Sequence, residues 1–377
     1  MNRWVARYIG KAPAIGTSLT ARIYLDHAAT TPPAAAVRAA VAMALECWAN
    51  PSSPHAEGRR ARAMLEEARA GIAAAHGWTG EVLLTSGASE SLAIGLGRAR
   101  ADARIVATVE HDAVMRLCGP TTAMQTVDAR GLIDPAALSA SLARGERALV
   151  AVQWANSETG VRQPIAEIAA AVHAAGALLL VDAAQMPTVC AGDVTPYADL
   201  VALSAHKHGG PPGVGALLVR DLAMLTPTGG QERGYRPGTE NLPGALGWAA
   251  ALVEPEPIER WVALRARLED AIRRSGGEIV AADAPRHPAV GSYRLPGVAA
   301  TTQLIRLDLA GFAVSAGSAC ASGSMKPSHV LAAMGWDEGA SREVIRVSFG
   351  RATNKAEIDA FVGAWRDLAR ATRRFAA

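Results

Sequence analysis

Leu178-Leu179-Leu180-Val181-Asp182-Ala183-Ala184-Gln185 opens with four aliphatic residues in unbroken succession and closes with a carboxylate followed by small residues. A strand with one wet face alternates apolar and polar side chains. An unbroken run of this length therefore predicts a strand buried on both faces, as in a parallel sheet covered by helices. The neighbouring sequence repeats the rhythm: residues 81–85, 104–109, 147–152, 177–182, 200–204 and 215–219 read as strands, separated by amphipathic stretches such as 89–100 and 165–175. That alternation predicts an α/β domain with a mostly parallel sheet.

Ahead of the sheet, 32–48 and 53–76 read as helices, each opened by proline or serine. Behind it, Glu254-Pro255-Glu256-Pro257 interrupts two helical stretches and marks the expected domain boundary. The following unit reads as a helix over 258–274, short strands around Ile279 and Val290, and a helix over 301–309. A glycine-rich loop, a strand over 344–348 and a closing helix from Asn354 complete it. The expected division is an N-terminal arm (1–23), a large domain (24–254) whose first residues are free to pack with the smaller one, and a small α+β domain (255–377).

With 377 residues, the chain is long enough for two or three units at about 100 to 200 residues each. Half the residues are hydrophobic and 19% are charged, which excludes disorder for the bulk of the chain. The 38 basic and 35 acidic residues leave a net charge of +3 without a long like-charge block, so no nucleic-acid partner is expected. No apolar stretch reaches the roughly 18 to 20 residues that span a bilayer, and no membrane partner is expected either. Cys47, Cys118, Cys190 and Cys320 lie far apart, without the pairing of a zinc site or the density of a disulfide scaffold. A reducing cytoplasm is the expected location. The first 25 residues carry Arg3, Arg7, Lys11 and Arg22 and no acid, a weak likeness to an organellar presequence. They lack an apolar core and a cleavage pattern, and read as an arm.

Three segments carry chemistry. Thr85-Ser86-Gly87-Ala88-Ser89-Glu90 runs from a strand end through a small-residue turn into a helix. Free amides at a helix N-terminus form an anion cup, to which Ser89 adds a hydroxyl, although such turns also precede helices that bind nothing. It is neither a GxGxxG nor a Walker loop, and Gly95-x-Gly97 falls inside or after a helix, so a dinucleotide or ATP has no anchor. Asp182 ends a buried strand, where a charge is costly unless it faces a cation or a protonated nitrogen; capping the following turn would equally explain it. In Ser204-Ala205-His206-Lys207-His208-Gly209-Gly210, Lys207 follows another apolar strand, where a lowered pKa would let it form a Schiff base. A solvated lysine is the ordinary alternative. His206 and His208 lack accompanying carboxylate or cysteine ligands, so no metal is expected. Taken together, an anion cup, a buried acid and a lysine stand at successive strand ends, where ligands of such sheets bind. Phosphate, protonated pyridine nitrogen and aldehyde are the three handles of pyridoxal phosphate.

The chain also resembles the cysteine desulfurases of the class V aminotransferase group, from Tyr24-Leu25-Asp26-His27-Ala28-Ala29-Thr30-Thr31 to Arg346-Val347-Ser348-Phe349-Gly350-Arg351. Matching blocks include Asn50-Pro51-Ser52-Ser53-Pro54-His55, Glu110-His111-Asp112-Ala113-Val114, Ser157-Glu158-Thr159-Gly160, Gly229-Gly230-Gln231-Glu232-Arg233-Gly234 and Ser315-Ala316-Gly317-Ser318-Ala319-Cys320. The resemblance implies the fold type I architecture of pyridoxal-phosphate transferases, with a seven-stranded sheet. It also implies conversion of L-cysteine to L-alanine with sulfur passing to Cys320 as a persulfide. Lys207 would hold the cofactor and move the Cα proton, Asp182 would keep the ring nitrogen protonated, and His111 would stack on the ring and serve proton transfer. Gln185 and Ser157 would face the cofactor's phenolic oxygen. Ala88, Ser89, Ser204 and His206 would hold the phosphate, with Thr239 reaching it from the partner subunit of a homodimer. Arg346 and Asn156 would bind the substrate. A mobile, glycine- and serine-rich loop would carry Cys320 to a sulfur-acceptor protein of iron–sulfur or other sulfur-cofactor biosynthesis, with at most a transient iron–sulfur contact at that cysteine.

Within the resemblance, Asn156-Ser157 stands where the family has two asparagines, and Pro237 replaces a serine, which stiffens that loop. The chain stops at Ala377, without the tail related enzymes use to reach a scaffold partner. The alternatives are a selenocysteine lyase or another lyase of the same fold, and a non-enzymatic sulfur-trafficking scaffold.

Overall fold

The computed structural model describes residues 22–143, 147–317 and 327–375, with side chains described as far as Ala371. The first eight strands are β1 (Ile23–Tyr24), β2 (Glu81–Thr85), β3 (Ala103–Ala107), β4 (Ala123–Gln125), β5 (Ala148–Gln153), β6 (Leu178–Asp182), β7 (Leu200–Ser204) and β8 (Gly215–Val219). Seven of them form one sheet in the order β2-β8-β7-β6-β5-β3-β4. Only β8 runs against its neighbours, β2 and β7. The mostly parallel α/β sheet is the one the strand pattern predicts, and its seven strands are the number the resemblance implies.

The unbroken apolar run of β6 sits at the middle of the sheet for the reason anticipated. Leu179 and Val181 point into one core, shared with the helices Ala56–Ala75 and Ile165–Ala174. Leu178 and Leu180 point into the other, under the helix Ala88–Arg98. Period-two alternation delivers aliphatic side chains to both faces, and both faces are covered. Gly95 lies inside that helix, and a Cβ there would meet Leu180 Cδ2 at 2.9 Å, so it serves close helix–sheet packing.

The remaining strands are β9 (Glu278–Ile279), β10 (Val290–Arg294), β11 (Phe312–Ala313) and β12 (Val344–Ser348). β10 pairs antiparallel with both β12 and β9, and β1 pairs parallel with β11. Around them a separate core gathers Leu25, Trp261, Leu268, Tyr293, Ile345, Phe361 and Trp365, drawing on the helices Ile258–Arg274 and Lys355–Phe375. The chain therefore contributes β1 and Leu25 to this second core before building the large sheet. The block Ser157-Glu158-Thr159-Gly160 joins the two bodies. Ser292 Oγ on β10 donates to the Glu158 carbonyl at 2.7 Å, and a Cβ on Gly160 (φ 77°) would meet the Val290 carbonyl at 2.6 Å. Within the first body, Ser328 Oγ donates to Glu158 Oε2 at 2.6 Å from the start of a helix, His329–Ala333, that packs into the large-sheet core.

Elements too short to establish a period escaped the reading: β4, the helices Asp112–Met115 and His329–Ala333, and the two-residue β1 and β11. Because β2, β5, β6 and β7 share one direction, Thr85, Gln153, Asp182 and Ser204 all arrive at the same edge of the sheet.

Candidate active site

Over that edge lies a cavity of about 470 Å³, within the range of small-molecule and cofactor sites. Eleven of the thirteen predicted site residues line it: Ala88, Ser89, His111, Asn156, Ser157, Asp182, Gln185, Ser204, His206, Lys207 and Arg346. Thr239 is exposed and is not among the lining residues. Cys320 lies outside the described residues, as does the segment on which its loop was expected.

One wall is an anion cup. The turn between β2 and the helix Ala88–Arg98 needs glycine twice: Gly87 has φ 151°, and a Cβ on Gly215 would meet Gly87 Cα at 2.6 Å. The approach leaves the first helical amides bare of bulky side chains and facing the cavity with Ser89. Glu90 also lines the cavity, but its carboxylate is engaged by donors of its own. Its carboxylate accepts the Ser86 N–H and pairs with Arg236 Nε at 3.0 Å. Burial pushes its pKa up, but these donors hold it below the ordinary value.

The opposite side of the cup comes from β7. Ser204 is buried, and the following turn Ala205–His208 closes on Gly209 at φ 81°. The His206 ring meets Thr30 Oγ1 at 3.1 Å, and burial, reinforced by Lys207 and His208, lowers its pKa to about 4. It is a neutral ring at physiological pH. Lys207 Nζ donates to the Ala28 carbonyl, which also accepts Gln185 Nε2 at 2.9 Å. The amine is thus held over the cavity by the segment following β1.

The floor is acidic. Asp182 is 8% exposed, and its carboxylate accepts the Ala184 N–H at 2.9 Å, its one hydrogen bond among the described residues. Burial raises its pKa; that N–H, His111 and Lys207 oppose the rise. His111 caps the short helix that follows it. Its Nδ1 accepts the Ala113 N–H at 3.1 Å, which leaves the proton on Nε2.

Arg346, on β12, reaches in from the second body. Its Nη1 donates to the Ser157 carbonyl at 2.9 Å and its Nη2 pairs with Asp26 Oδ1 at 2.7 Å, while its buried Nε has no hydrogen-bond partner among the described residues. The guanidinium is thus held by two partners at the wall of the cavity, where its planar fork is of a kind suited to a carboxylate. Asn156 lines the cavity, but its amide is committed to the turn. Oδ1 accepts the Glu158 and Thr159 N–H groups at 2.9 and 2.8 Å, and Nδ2 donates to the Val109 carbonyl at 3.0 Å and to Gln153 Oε1 at 3.4 Å. It shapes the wall rather than offering a free donor.

Three residues at the site received no role from the sequence. Asp26 fixes Arg346; Ile23-Tyr24-Leu25-Asp26 carries the same signal as Asp182, an apolar run ending in aspartate. Glu110 and His329 line the cavity, and His329 Nε2 donates to the Glu110 carbonyl at 2.8 Å. Among the described residues, no group of three or more His, Cys, Asp or Glu is arranged to hold a metal ion, and no helix is long and apolar enough to cross a membrane.

An anion at the helix end, a protonated nitrogen at Asp182 and an electrophilic carbonyl at Lys207 are what this arrangement can accommodate together. Comparison with known proteins gives the same direction. The family model described as aminotransferase class-V matches residues 23–361. A protein named cysteine desulfurase from Bradyrhizobium diazoefficiens is 39% identical, across 92% of this chain and 94% of its own length. The X-ray structure of a NifS-like protein from Rickettsia africae superposes with a TM-score of 0.82 at 28% identity, covering 92% of this chain and 99% of that one. A structure described as SspA in complex with cysteine superposes with a TM-score of 0.74 at 28% identity, covering 88% and 100%. With the fold, the cavity and these likenesses in agreement, the chain belongs to the class-V aminotransferase family, among its cysteine desulfurases.

Proposed function

We propose that the chain is a pyridoxal-phosphate-dependent cysteine desulfurase acting on L-cysteine. The observation that carries the reading is the cavity in which the Lys207 amine, the buried Asp182 carboxylate and the Ala88 helix end converge. Asp182 is the best test of fit. A buried carboxylate whose one described hydrogen bond comes from a backbone amide is costly, and a protonated ring nitrogen would give it the direct ion pair that the described residues do not supply. Lys207 would hold the cofactor covalently, and Ala88, Ser89, Ser204 and His206 would hold its phosphate. Gln185 and Ser157 would stand near its phenolic oxygen. Thr239, exposed and apart from the cavity of its own chain, is offered to the phosphate site of a second copy in a homodimer. When bound, pyridoxal phosphate supplies an electron sink conjugated to the substrate Cα.

The chain's own groups do the rest. Arg346, braced by Asp26 at the wall of the cavity, grips the substrate carboxylate. Lys207 Nζ moves the Cα proton, and His111 presents the Nε2 proton to the cavity. Cys320, as a thiolate, takes the substrate sulfur: a new S–S bond forms, the substrate Cβ–S bond breaks, and Cβ gains the proton that completes L-alanine. The persulfide sulfur then passes to an acceptor protein of iron–sulfur or other sulfur-cofactor biosynthesis. A thiol with this task has to stay reduced, which favours the cytoplasm. We divide the chain near residue 254 into a cofactor-binding domain and a smaller domain that supplies Arg346 and the cysteine segment.

The test is turnover of L-cysteine by the purified protein loaded with pyridoxal phosphate, following alanine and sulfide together under a reductant. Equal amounts of both are expected, with turnover nearly abolished in Cys320→Ser and in Lys207→Ala, and the cofactor's visible band lost only in the latter. Formation of pyruvate, or turnover indifferent to Cys320→Ser, would refute the persulfide route.

A further inference from the structure

Glu110 is 0% exposed, at the floor of the cavity beside Asp182. Its Oε1 accepts the Gln153 N–H at 2.8 Å, and Gln153 is the residue of β5 in register with Asp182 on β6. The two carboxyl groups therefore sit over adjacent strand ends. Glu110 Oε2 is buried and has no hydrogen-bond partner among the described residues. Asp182, Cys118 and His329 lie around it, with His111 and Asp112 next along the chain; the Lys207 ammonium of the same cavity acts on Asp182 and is not among the influences on Glu110. Its backbone is as firmly placed as its side chain. The Glu110 N–H donates to the Ala107 carbonyl at 3.2 Å, its carbonyl accepts His329 Nε2, and the preceding Val109 carbonyl accepts Gln153 Nε2 at 2.6 Å.

We propose that Glu110 is held as a neutral carboxylic acid and acts as a positioning residue: it fixes His111 at the cavity and leaves Asp182 as the charged carboxylate of the floor. The inference rests on the cofactor reading above and extends it to a residue that the reading leaves without a task. Two carboxylates buried side by side disfavour each other's ionisation, and the one closer to positive charge keeps it: Lys207 and His111 act on Asp182, and neither is among the influences on Glu110. Asp182 has a further cation in prospect, the cofactor's ring nitrogen. Glu110, deeper and bonded to a single amide, takes the proton. Burial, with the neighbouring Asp182, drives its pKa well above the ordinary carboxylate value against the one amide that favours ionisation. A neutral Glu110 also leaves undivided the electrostatic pull of Asp182 on the cofactor nitrogen.

The experiment is infrared spectroscopy of the protein near neutral pH, with glutamate and aspartate carboxyls labelled separately with ¹³C. A protonated-carboxyl carbonyl band that moves with the glutamate label is expected in the wild type, surviving in Asp182→Asn and vanishing in Glu110→Gln. In the loaded enzyme, Glu110→Ala is expected to lower kcat about tenfold with little change in KM, and Glu110→Gln to recover most of that loss because an amide reproduces a neutral acid's shape. Absence of the glutamate-shifted band in the wild type would overturn the inference even if neither variant folded. So would a Glu110→Gln enzyme as impaired as Glu110→Ala. Failure of the functional reading registers elsewhere, as wild-type protein that takes up no cofactor and shows no visible band.

Discussion

The carboxylates at the rim of the cavity and those at its floor are built in opposite ways. At the rim, Asp26 holds the guanidinium of Arg346 at 2.7 Å and Glu90 holds that of Arg236 at 3.0 Å. At the floor, Asp182 and Glu110 each accept one backbone amide and form no ion pair among the described residues. Paired acids set the direction of a cation and hold it there. Unpaired buried acids raise the free energy of the empty site and lower it again when a matching group arrives. The rim acids therefore already have their cations, whereas neither floor acid has an ion-pair partner among the described residues.

That contrast can be broken or sharpened by substitution. The largest effect is expected from Lys207→Ala, which removes the amine proposed to hold the cofactor between floor and rim. Turnover of L-cysteine should fall by at least about 10⁴-fold, read from alanine release. Asp182→Asn keeps the shape of the floor and removes its charge. It should lower kcat by about 10² to 10³-fold while the protein still takes up the cofactor, read from steady-state kinetics beside the visible spectrum. If Asp182 were merely a cap for Ala184, the asparagine would do nearly as well and kcat would hardly change.

A buried base away from the cavity extends the comparison to stability. His76 is fully buried against Trp248 and His208, and burial lowers its pKa to about 4 from an ordinary 6.5. The unfolded chain therefore binds the extra proton first. This contribution is complete above an ordinary histidine's pKa and is lost as the pH falls toward about 4, amounting to about 3 kcal/mol. Urea unfolding at stepwise lower pH should show the decline, and His76→Leu should make it shallower by about that amount, the rest coming from His27, His206, His208 and His287, whose pKa values burial also lowers. At the rim, Asp26→Asn should cost least. KM for L-cysteine is expected to rise about tenfold with kcat within a few-fold, because the guanidinium remains but its direction is loosened.

Much of this was legible from local pattern. Strands 81–85, 200–204 and 215–219 were read to the residue because unbroken aliphatic runs end at polar or glycine punctuation. The helix Ile258–Arg274 was bounded by the proline pair before it. β4, three residues of Ala-Met-Gln at the sheet edge, carries no such signature, and its place is set by pairing with β3. At the site, residues that end strands announced themselves. Those acting through distant partners did not: Asp26 meets Arg346 across 320 positions, and the partner of Glu110 is a backbone amide, which no side-chain motif encodes. Asn156 shows the converse, a conspicuous polar residue beside a matching block whose amide serves its own turn. For Cys320, which lies outside the described residues, the assignment rests on the block around it.

The most direct measurement on the floor is ¹⁵N NMR of the protein loaded with pyridoxal phosphate labelled at its ring nitrogen. The account predicts a protonated nitrogen near neutral pH in the wild type and in Glu110→Gln, and an unprotonated one in Asp182→Asn. An unprotonated nitrogen in the wild type, or a protonated one that persists in Asp182→Asn, would contradict it.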